Sequence, residues 1–427
     1  MFEIKNNYNS IIAIIITLIC PPIGLCISLL ALYKDFKNWR TYIICIAWSM
    51  AVFAYCYEPT ASSDLVRYYD YLNLLTGKKL KQALDLGQYG KDGLYSFVIV
   101  SWLVTKLGDI RLLPAISTFS VYIIGLYVTC KIGEDEKVYY RDSKVFNYIV
   151  FILLSVNFYS VVNNVRNVWA FSLIGFAIFR DVYQKKRNFL TAFFYVFPIF
   201  IHTSAVVFII VRLIMIAPKK IKVICSALCF LVPMVLNILS TKFVGLTSGN
   251  FVLKLMLNMI NTGNNYFEHT TSSWALAVQN SGSEKLARLI YMLIALIMFC
   301  LYIYILRKKN NDDPNILNER ILQIIDFPFL ACLLTFSCST MVMPEYWRFI
   351  VITVLFGGSI FIIANNKKIT HLVNVALNLC ALIAMVLWVR NLFIYSNIGA
   401  MLTRSLIANP IVIFVLKLLG NDISVIG

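Results

Sequence analysis

A short run between positions 63 and 71 holds the densest set of reactive side chains in the chain. If it is helical, Asp64, Arg67 and Tyr71 fall at i, i+3 and i+7 on one face, with Tyr68 beside them. Such a face can bind sugar hydroxyls or phosphate, and Asp64 can act as a base on a hydroxyl. The alternative is an interfacial helix with a tyrosine belt and a local ion pair.

Two arginines each stand at the beginning of an apolar run. Arg166 lies within the segment N-N-V-R-N at 163–167, and Arg348 ends the segment P-E-Y-W-R at 344–348. A planar guanidinium can clamp a phosphate through paired N–H groups. The alternatives are a snorkelling arginine at 166 and a local ion pair between Glu345 and Arg348.

His202 interrupts a long apolar run together with Thr203 and Ser204. An ionisable residue at a break inside a membrane segment is a candidate for function, and His202 can serve as a general base or hydrogen-bond donor. The alternative is a buried polar tip of a helical hairpin. The sequence has no H-E-x-x-H or G-x-S-x-G motif, and its 11 cysteines fit no metal or disulfide spacing. We therefore expect neither a metal nor a cofactor.

The elements that position these residues are expected to be membrane helices. The 427 residues are 60% hydrophobic and only 14% charged, with a mean hydropathy of +0.77. Apolar blocks of about 17 to 24 residues can cross the bilayer as helices. Within these blocks apolar residues are continuous and do not alternate with polar ones, which favours helices over the strands of a membrane barrel. The sequence predicts an all-α polytopic membrane protein with about 12 transmembrane helices, forming one integral membrane domain over residues 1–427.

Basic loops set the expected orientation and explain much of the formal net charge of +17, so nucleic acid is not an expected partner. Ser10–Tyr33 is predicted to be the first span, kinked at its prolines. Gly93–Leu107 is too short to cross and is predicted to be a re-entrant segment. Phe189–Ala217, with basic clusters at both ends, is predicted to be a broken pair with His202 at its outer tip.

This orientation places two long loops outside the membrane. They are residues 58–92, predicted to contain an interfacial helix, and residues 241–285. The four candidates for chemistry then share the outer side, and they are Asp64, Arg166, His202 and Arg348.

Several segments occur in a familiar order. S-S-D-L-V-R-Y-Y-D-Y-L is followed by V-R-N-V-W-A, a basic K-K-R loop, F-I-H-T-S-A and finally P-E-Y-W-R-F. Together, from about Tyr57 to Ile363, they resemble the EpsG family and the related Wzy-type O-antigen and capsular polysaccharide polymerases. The chain departs from the pattern at Asn167, where glutamine is expected, and in lacking a glycine before Asp64.

The resemblance implies a GT-C-like fold in the bacterial inner membrane and a metal-independent glycosyltransferase. Its substrate is an oligosaccharide repeat unit on undecaprenyl diphosphate, and its expected partners are membrane lipid, a chain-length regulator and a flippase. Arg166 and Arg348 are expected to stabilise the diphosphate, while Asp64 and His202 compete for the role of base. The remaining candidates are expected to bind substrate, and they are Arg67, Tyr68, Tyr71, Asn163, Asn167 and Glu345.

Two other functions remain open at this point. A flippase or transporter for the same lipid-linked sugars is one, although the sequence shows no pair of related halves with broken helices. A membrane acyltransferase is the other, since a histidine inside the membrane also suits that chemistry.

Overall fold

The computed structural model describes residues 2–61, 63–137, 144–231, 280–311, 319–339, 346–364 and 367–407, with positions 238, 242 and 257. These residues are helical and contain no strand, apart from an isolated bridge between Pro59 and Ser396. The all-α prediction is confirmed. Most of the predicted loop 241–285 lies outside the described residues, as does Glu345.

The helices of the described residues follow one another with short connections. They are α1 (Phe2–Ile19), α2 (Pro21–Lys34), α3 (Trp39–Tyr55), α4 (Asp64–Leu75), α5 (Leu80–Asp85), α6 (Gly87–Lys91), α7 (Tyr95–Lys106), α8 (Leu112–Asp135), α9 (Lys144–Ser155), α10 (Phe158–Asn163), α11 (Val165–Ile178), α12 (Phe189–Val196), α13 (Val206–Ile216), α14 (Lys219–Leu228), α15 (Gly282–Asn311), α16 (Glu319–Ser339), α17 (Tyr346–Phe356), α18 (Gly358–Ile363), α19 (Lys367–Tyr395) and α20 (Ile398–Ile407).

Several of these helices can cross a membrane. Within the described residues, four segments are long and apolar enough, namely Leu112–Asp135, Gly282–Arg307, Arg320–Ser339 and His371–Tyr395. The other apolar helices have 10–17 residues. A membrane protein with several spans is thus supported, while the predicted number of about 12 full spans is not confirmed.

The antiparallel pair of α3 and α8 shows where the intervening chain runs. At one end of the pair, Trp39 Nε1 donates to Glu134 at 3.1 Å. At the other end, the Tyr55 hydroxyl donates to Asp109, just before α8, at 2.6 Å. The chain from 56 to 111 therefore leaves and returns at the same end of the bundle. Its helix α7 is about 18 Å long, too short for ~30 Å of hydrocarbon, in agreement with a segment that does not cross.

Two ion pairs on one carboxylate show that α12 and α13 form a hairpin. Arg212, on α13, contacts Asp181 at 2.6 Å, and Arg187, just before α12, contacts the same carboxylate at 2.7 Å. Both open ends of the hairpin therefore lie together. Its turn contains Pro198, which cannot donate a backbone hydrogen bond, and His202, whose backbone is extended. The predicted broken pair is the arrangement that the structure shows.

The N-terminal helices correct one prediction. α1 and α2 run antiparallel. This follows from the close approach of Gly24 to Thr17, seven positions earlier, since a Cβ at Gly24 would lie only 2.3 Å from the Cα of Thr17. The start of α1 accordingly lies beside the end of α2, where the Tyr42 hydroxyl contacts Ser10 at 3.5 Å and Asp35 at 3.4 Å. The prediction of one kinked span over Ser10–Tyr33 is therefore wrong. The chain reverses at Pro21, which lacks an N–H group to continue the helix.

The bundle has a site end and an opposite end. The site end is where α3 ends and where α4, α11 and α17 begin, and the opposite end holds the hairpin base at Asp181. Ion pairs join helices near the opposite end, including Arg40 with Glu134 at 3.2 Å and Lys222 with Asp326 at 2.5 Å. A buried charge in a membrane protein requires such a partner, and Lys222 provides it for the buried Asp326 carboxylate.

We expect Asp70→Cys and Lys106→Cys to react with a membrane-impermeant maleimide from one side, and Lys186→Cys from the other. All three positions are exposed, and the chain from 56 to 111 does not cross the bundle. The measurement uses single-cysteine variants in a background without the 11 native cysteines. Labelling of Lys106→Cys and Lys186→Cys from the same side contradicts this arrangement.

Candidate functional site

The first turn of α4 is attached to the bundle through Asn163. Ser63 caps α4 by accepting from the Leu65 N–H at 3.2 Å, and its hydroxyl donates to the amide oxygen of Asn163. The Asn163 amide nitrogen donates to the Tyr57 hydroxyl at 3.0 Å and to the Tyr159 carbonyl at 2.9 Å. Both ends of this buried amide bind protein atoms, so Asn163, predicted to bind substrate, holds α4 against α10.

The two sides of α4 differ in exposure. Asp64 and Arg67 form the expected ion pair on the exposed side, and this bond raises the pKa of Arg67. Tyr68 and Tyr71 are only 6% and 7% exposed. Tyr71, predicted to share a face with Asp64 and Arg67, instead packs inward, because α6 and α7 fold over the end of α4. Burial raises the pKa of Tyr71 to about 12, so its hydroxyl stays protonated at neutral pH.

Arg166 lies in the first turn of α11 and reaches the segment that contains α4, α6 and α7. Its Nε donates to the Tyr68 hydroxyl at 3.2 Å. Its guanidinium carbon lies 4.5 Å from the ring centre of Tyr89 and 5.5 Å from those of Tyr68 and Phe97. These are cation–π distances. The aromatic rings therefore hold the guanidinium in place. Because the rings are neutral, they do not offset its positive charge.

Asn167 links His202 to Arg348. When the amide oxygen faces Arg348, it accepts from both Nε and Nη2 of the guanidinium at 3.2 Å each, and the amide nitrogen donates to Nε2 of His202. This orientation is the one that satisfies Arg348, because a guanidinium can only donate. Three residues from different parts of the chain thus form one hydrogen-bonded group.

The tautomer of His202 depends on which of two N–H donors it accepts from. The backbone N–H of Ser204 donates to Nδ1 at 3.3 Å and the Asn167 amide faces Nε2, but a neutral imidazole accepts at one nitrogen only. In the tautomer that accepts from Asn167, the proton lies on Nδ1 and Nε2 is the acceptor. The edge contact of the ring with Phe171, at 6.1 Å between centroids, helps to hold it in this position.

The site end therefore brings together most of the candidates. Arg166, His202 and Arg348 come together on α11, at the tip of the hairpin and on α17. Asp64 lies on the exposed side of α4, the helix whose Tyr68 accepts from Arg166. The chemical roles of these residues stay predictions. Their convergence can place two guanidinium groups and a proton acceptor beside one anionic substrate.

Sequence reasoning missed Tyr89 and Phe97. Tyr89 lies between glycines in a short polar run, and Phe97 lies in an ordinary apolar one. No local spacing indicates that both face Arg166, because their contact depends on the way α6 and α7 fold back over α4.

A second missed group fixes the start of α17, and hence Arg348. The Tyr346 hydroxyl donates to Glu284, on α15, at 2.7 Å. Arg288 lies over the Tyr346 ring at 5.3 Å and donates to the Ser339 carbonyl at 3.2 Å. These contacts join the ends of α15, α16 and α17. Among the described residues, no three His, Cys, Asp or Glu side chains lie together as in a metal site.

The family model of the EpsG family matches residues 39–400 of the chain. The match begins at the first residue of α3 and ends within α20, so it includes the whole site and leaves out the hairpin of α1 and α2. No curated protein and no solved structure gives a significant match.

We expect Asn163→Ala to lower the free energy of unfolding by about 2 kcal/mol, because it removes the buried acceptor of the Ser63 hydroxyl and the buried donor to the Tyr57 hydroxyl. The measurement is thermal unfolding in detergent micelles. Asn73→Ala, at an exposed position of α4, is the matched control and should change stability by less than about 0.5 kcal/mol. Equal stability of the two variants contradicts the structural role of Asn163.

Proposed function

The chain belongs to the EpsG family, a Wzy-type polymerase-like family, and we propose that it joins lipid-linked oligosaccharide repeat units into a polysaccharide. The lipid carrier in this proposal is undecaprenyl diphosphate, and the reaction takes place at the outer face of the bacterial inner membrane. The product is an O-antigen, a capsule or an exopolysaccharide. The observation that carries the proposal is the Asn167 bridge between His202 and Arg348, with Arg166 adjacent in sequence.

The proposed reaction is a glycosyl transfer. The growing glycan leaves its lipid diphosphate as the anomeric C–O bond breaks, and a new bond forms to a hydroxyl oxygen on the terminal sugar of a second lipid-linked unit. The hydroxyl proton passes to a base, and lipid diphosphate departs with its negative charge. This chemistry therefore requires a cationic site for the leaving group and a proton acceptor for the hydroxyl.

Arg166 and Arg348 supply the cations in this proposal. Arg166 is oriented by the Tyr68 hydroxyl and by aromatic rings, while Arg348 donates through two of its nitrogens to Asn167. A preorganised cation spends little energy on reorientation when charge develops on the leaving oxygen. Tyr68 and Asn167, predicted to bind substrate, contribute by positioning these two guanidinium groups.

His202 is the base that the geometry favours over Asp64. In the tautomer that accepts from Asn167, Nε2 of His202 is unprotonated, and the substrate hydroxyl must replace the Asn167 amide there before Nε2 can take its proton. Asp64 is paired with Arg67, whose side chain is 73% exposed, on the outer side of α4. We therefore assign Asp64 and Arg67 to the binding of sugar hydroxyls, with His202 as the proton acceptor.

Arg166→Ala and Arg348→Ala should each reduce glycan lengthening by about 100-fold or more, as expected for the loss of one group that stabilises transition-state charge. Arg166→Lys should recover only part of the loss, because an ammonium lacks the planar donor fork. The measurement is ladder formation by purified protein supplied with lipid-linked repeat units. Lys81→Ala, which removes an exposed charge nearby in the same segment, is the control.

The same assay distinguishes the competing functions. Normal ladders from both arginine variants, at normal protein levels, contradict the assigned cationic site. Transfer of intact repeat units across a vesicle membrane without lengthening identifies a transporter instead of a polymerase. Transfer of an acyl group in the absence of lengthening identifies an acyltransferase.

His202→Ala should reduce lengthening by about 100-fold or more, as for the loss of a general base. Asp64→Asn should cost less than about tenfold, because it removes hydroxyl binding and leaves proton transfer in place. Rates at saturating substrate across a range of pH provide the measurement. A larger loss for Asp64→Asn than for His202→Ala reverses the assignment of the base.

A further inference from the structure

The aromatic group around Arg166 contains one residue with the closest ring contact. The ring centre of Tyr89 lies 4.5 Å from the guanidinium carbon of Arg166, whereas the ring centres of Tyr68 and Phe97 lie 5.5 Å from it. Tyr68 also provides a hydroxyl that accepts from Nε. Tyr68 therefore binds Arg166 through its hydroxyl, whereas Tyr89 contacts Arg166 through its ring.

The Tyr89 ring is held rigidly by its neighbours. It meets Tyr71 edge-on at 4.7 Å and Phe97 edge-on at 5.1 Å between centroids. Such pairs favour one relative orientation of the rings. Because Phe97 is fully buried on α7 and Tyr71 is buried on α4, Tyr89 is fixed from both sides before any substrate arrives.

The charge state of Tyr89 is compatible with attraction through the ring face. Burial raises the pKa of its hydroxyl, although Arg166 and Arg67 act in the opposite direction. The side chain is therefore neutral at neutral pH, and the negative face of its π-system attracts the cation. A neutral ring stabilises the position of the guanidinium without cancelling its charge.

We infer that Tyr89 is a positioning residue for Arg166 and acts through its ring, so that the guanidinium meets the leaving diphosphate in one fixed orientation. This inference rests on the proposed function, since it gives Tyr89 a role in the same reaction. An arginine has many rotamers, and fixing one of them before the reaction lowers the cost of orientation in the transition state. The effect of losing the ring should therefore appear in kcat more than in KM.

The test compares Tyr89→Phe with Tyr89→Leu in the ladder assay. Tyr89→Phe retains the ring and should keep most of the wild-type kcat. Tyr89→Leu removes the ring and should lower kcat about fivefold to tenfold, the effect expected for a lost cation–π contact of a partly desolvated arginine. Tyr8→Leu, at an exposed tyrosine of α1 outside the family match, is the matched control.

A double-mutant comparison separates positioning from a general structural role. In the Arg166→Ala background, followed with radiolabelled substrate over long reaction times, Tyr89→Leu should cause no further loss, because its partner is already absent. Thermal unfolding of each variant in detergent shows that the comparison is made on folded protein.

Two results overturn the inference. One is an equal loss from Tyr89→Leu in the wild-type and Arg166→Ala backgrounds, and the other is an equal loss from Tyr89→Phe and Tyr89→Leu. Both leave the proposed function in place as long as the wild-type protein forms ladders. Absence of lengthening by folded wild-type protein instead contradicts the proposed function, and this inference with it.

Discussion

A single amide, that of Asn167, connects the groups on which the site depends. It accepts from Arg348 and donates to His202, and these residues come from α17 and from the tip of the α12–α13 hairpin. The donor-only guanidinium sets the orientation of the amide, which turns its N–H group toward Nε2 of His202. The surroundings of His202 therefore depend on an arginine that follows it by more than one hundred positions.

The helical framework serves to bring these distant groups to one end of the bundle. α3 and α8 are joined at both ends, so the chain between them must return to where it left. The returning segment supplies Tyr68 and Tyr89 to Arg166, and Asn163 attaches its first helix to α10. The α12–α13 hairpin returns in the same manner, and its turn delivers His202.

Arginines at both ends of the bundle have carboxylate partners, such as Asp64 for Arg67 at the site end and Asp181 for Arg212 at the opposite end. Near the opposite end, arginine and lysine contact carboxylates such as Asp181 and Asp326, which lowers the cost of placing charge in a membrane protein. At the site end, the contacts described for Arg166 and Arg348 involve rings, a hydroxyl and an amide. Neutral partners position a guanidinium and leave its attraction for an anion intact. The contacts described for Arg166 and Arg348 therefore suit a protein whose proposed substrate carries a diphosphate.

The sequence by itself determined the membrane-spanning class, the short segment that does not cross, the break at His202 and the family. These properties depend on residue type and local spacing, such as apolar length and the position of Pro198. The order of the motifs was also sufficient to select Arg166, His202 and Arg348 as candidates. The match to the EpsG family over residues 39–400 confirmed the resemblance that these motifs indicated.

Only the tertiary structure decided how the candidates are used. It showed α1 and α2 as a hairpin, Asn163 as a structural link, Tyr71 as a buried ring and Tyr89 as a neighbour of Arg166. Each of these facts depends on contacts between residues on separate helices, such as the bond from Arg166 to Tyr68 across 98 positions. Local periodicity shows which residues can share one helix face, whereas the packing of helices against one another determines what that face meets.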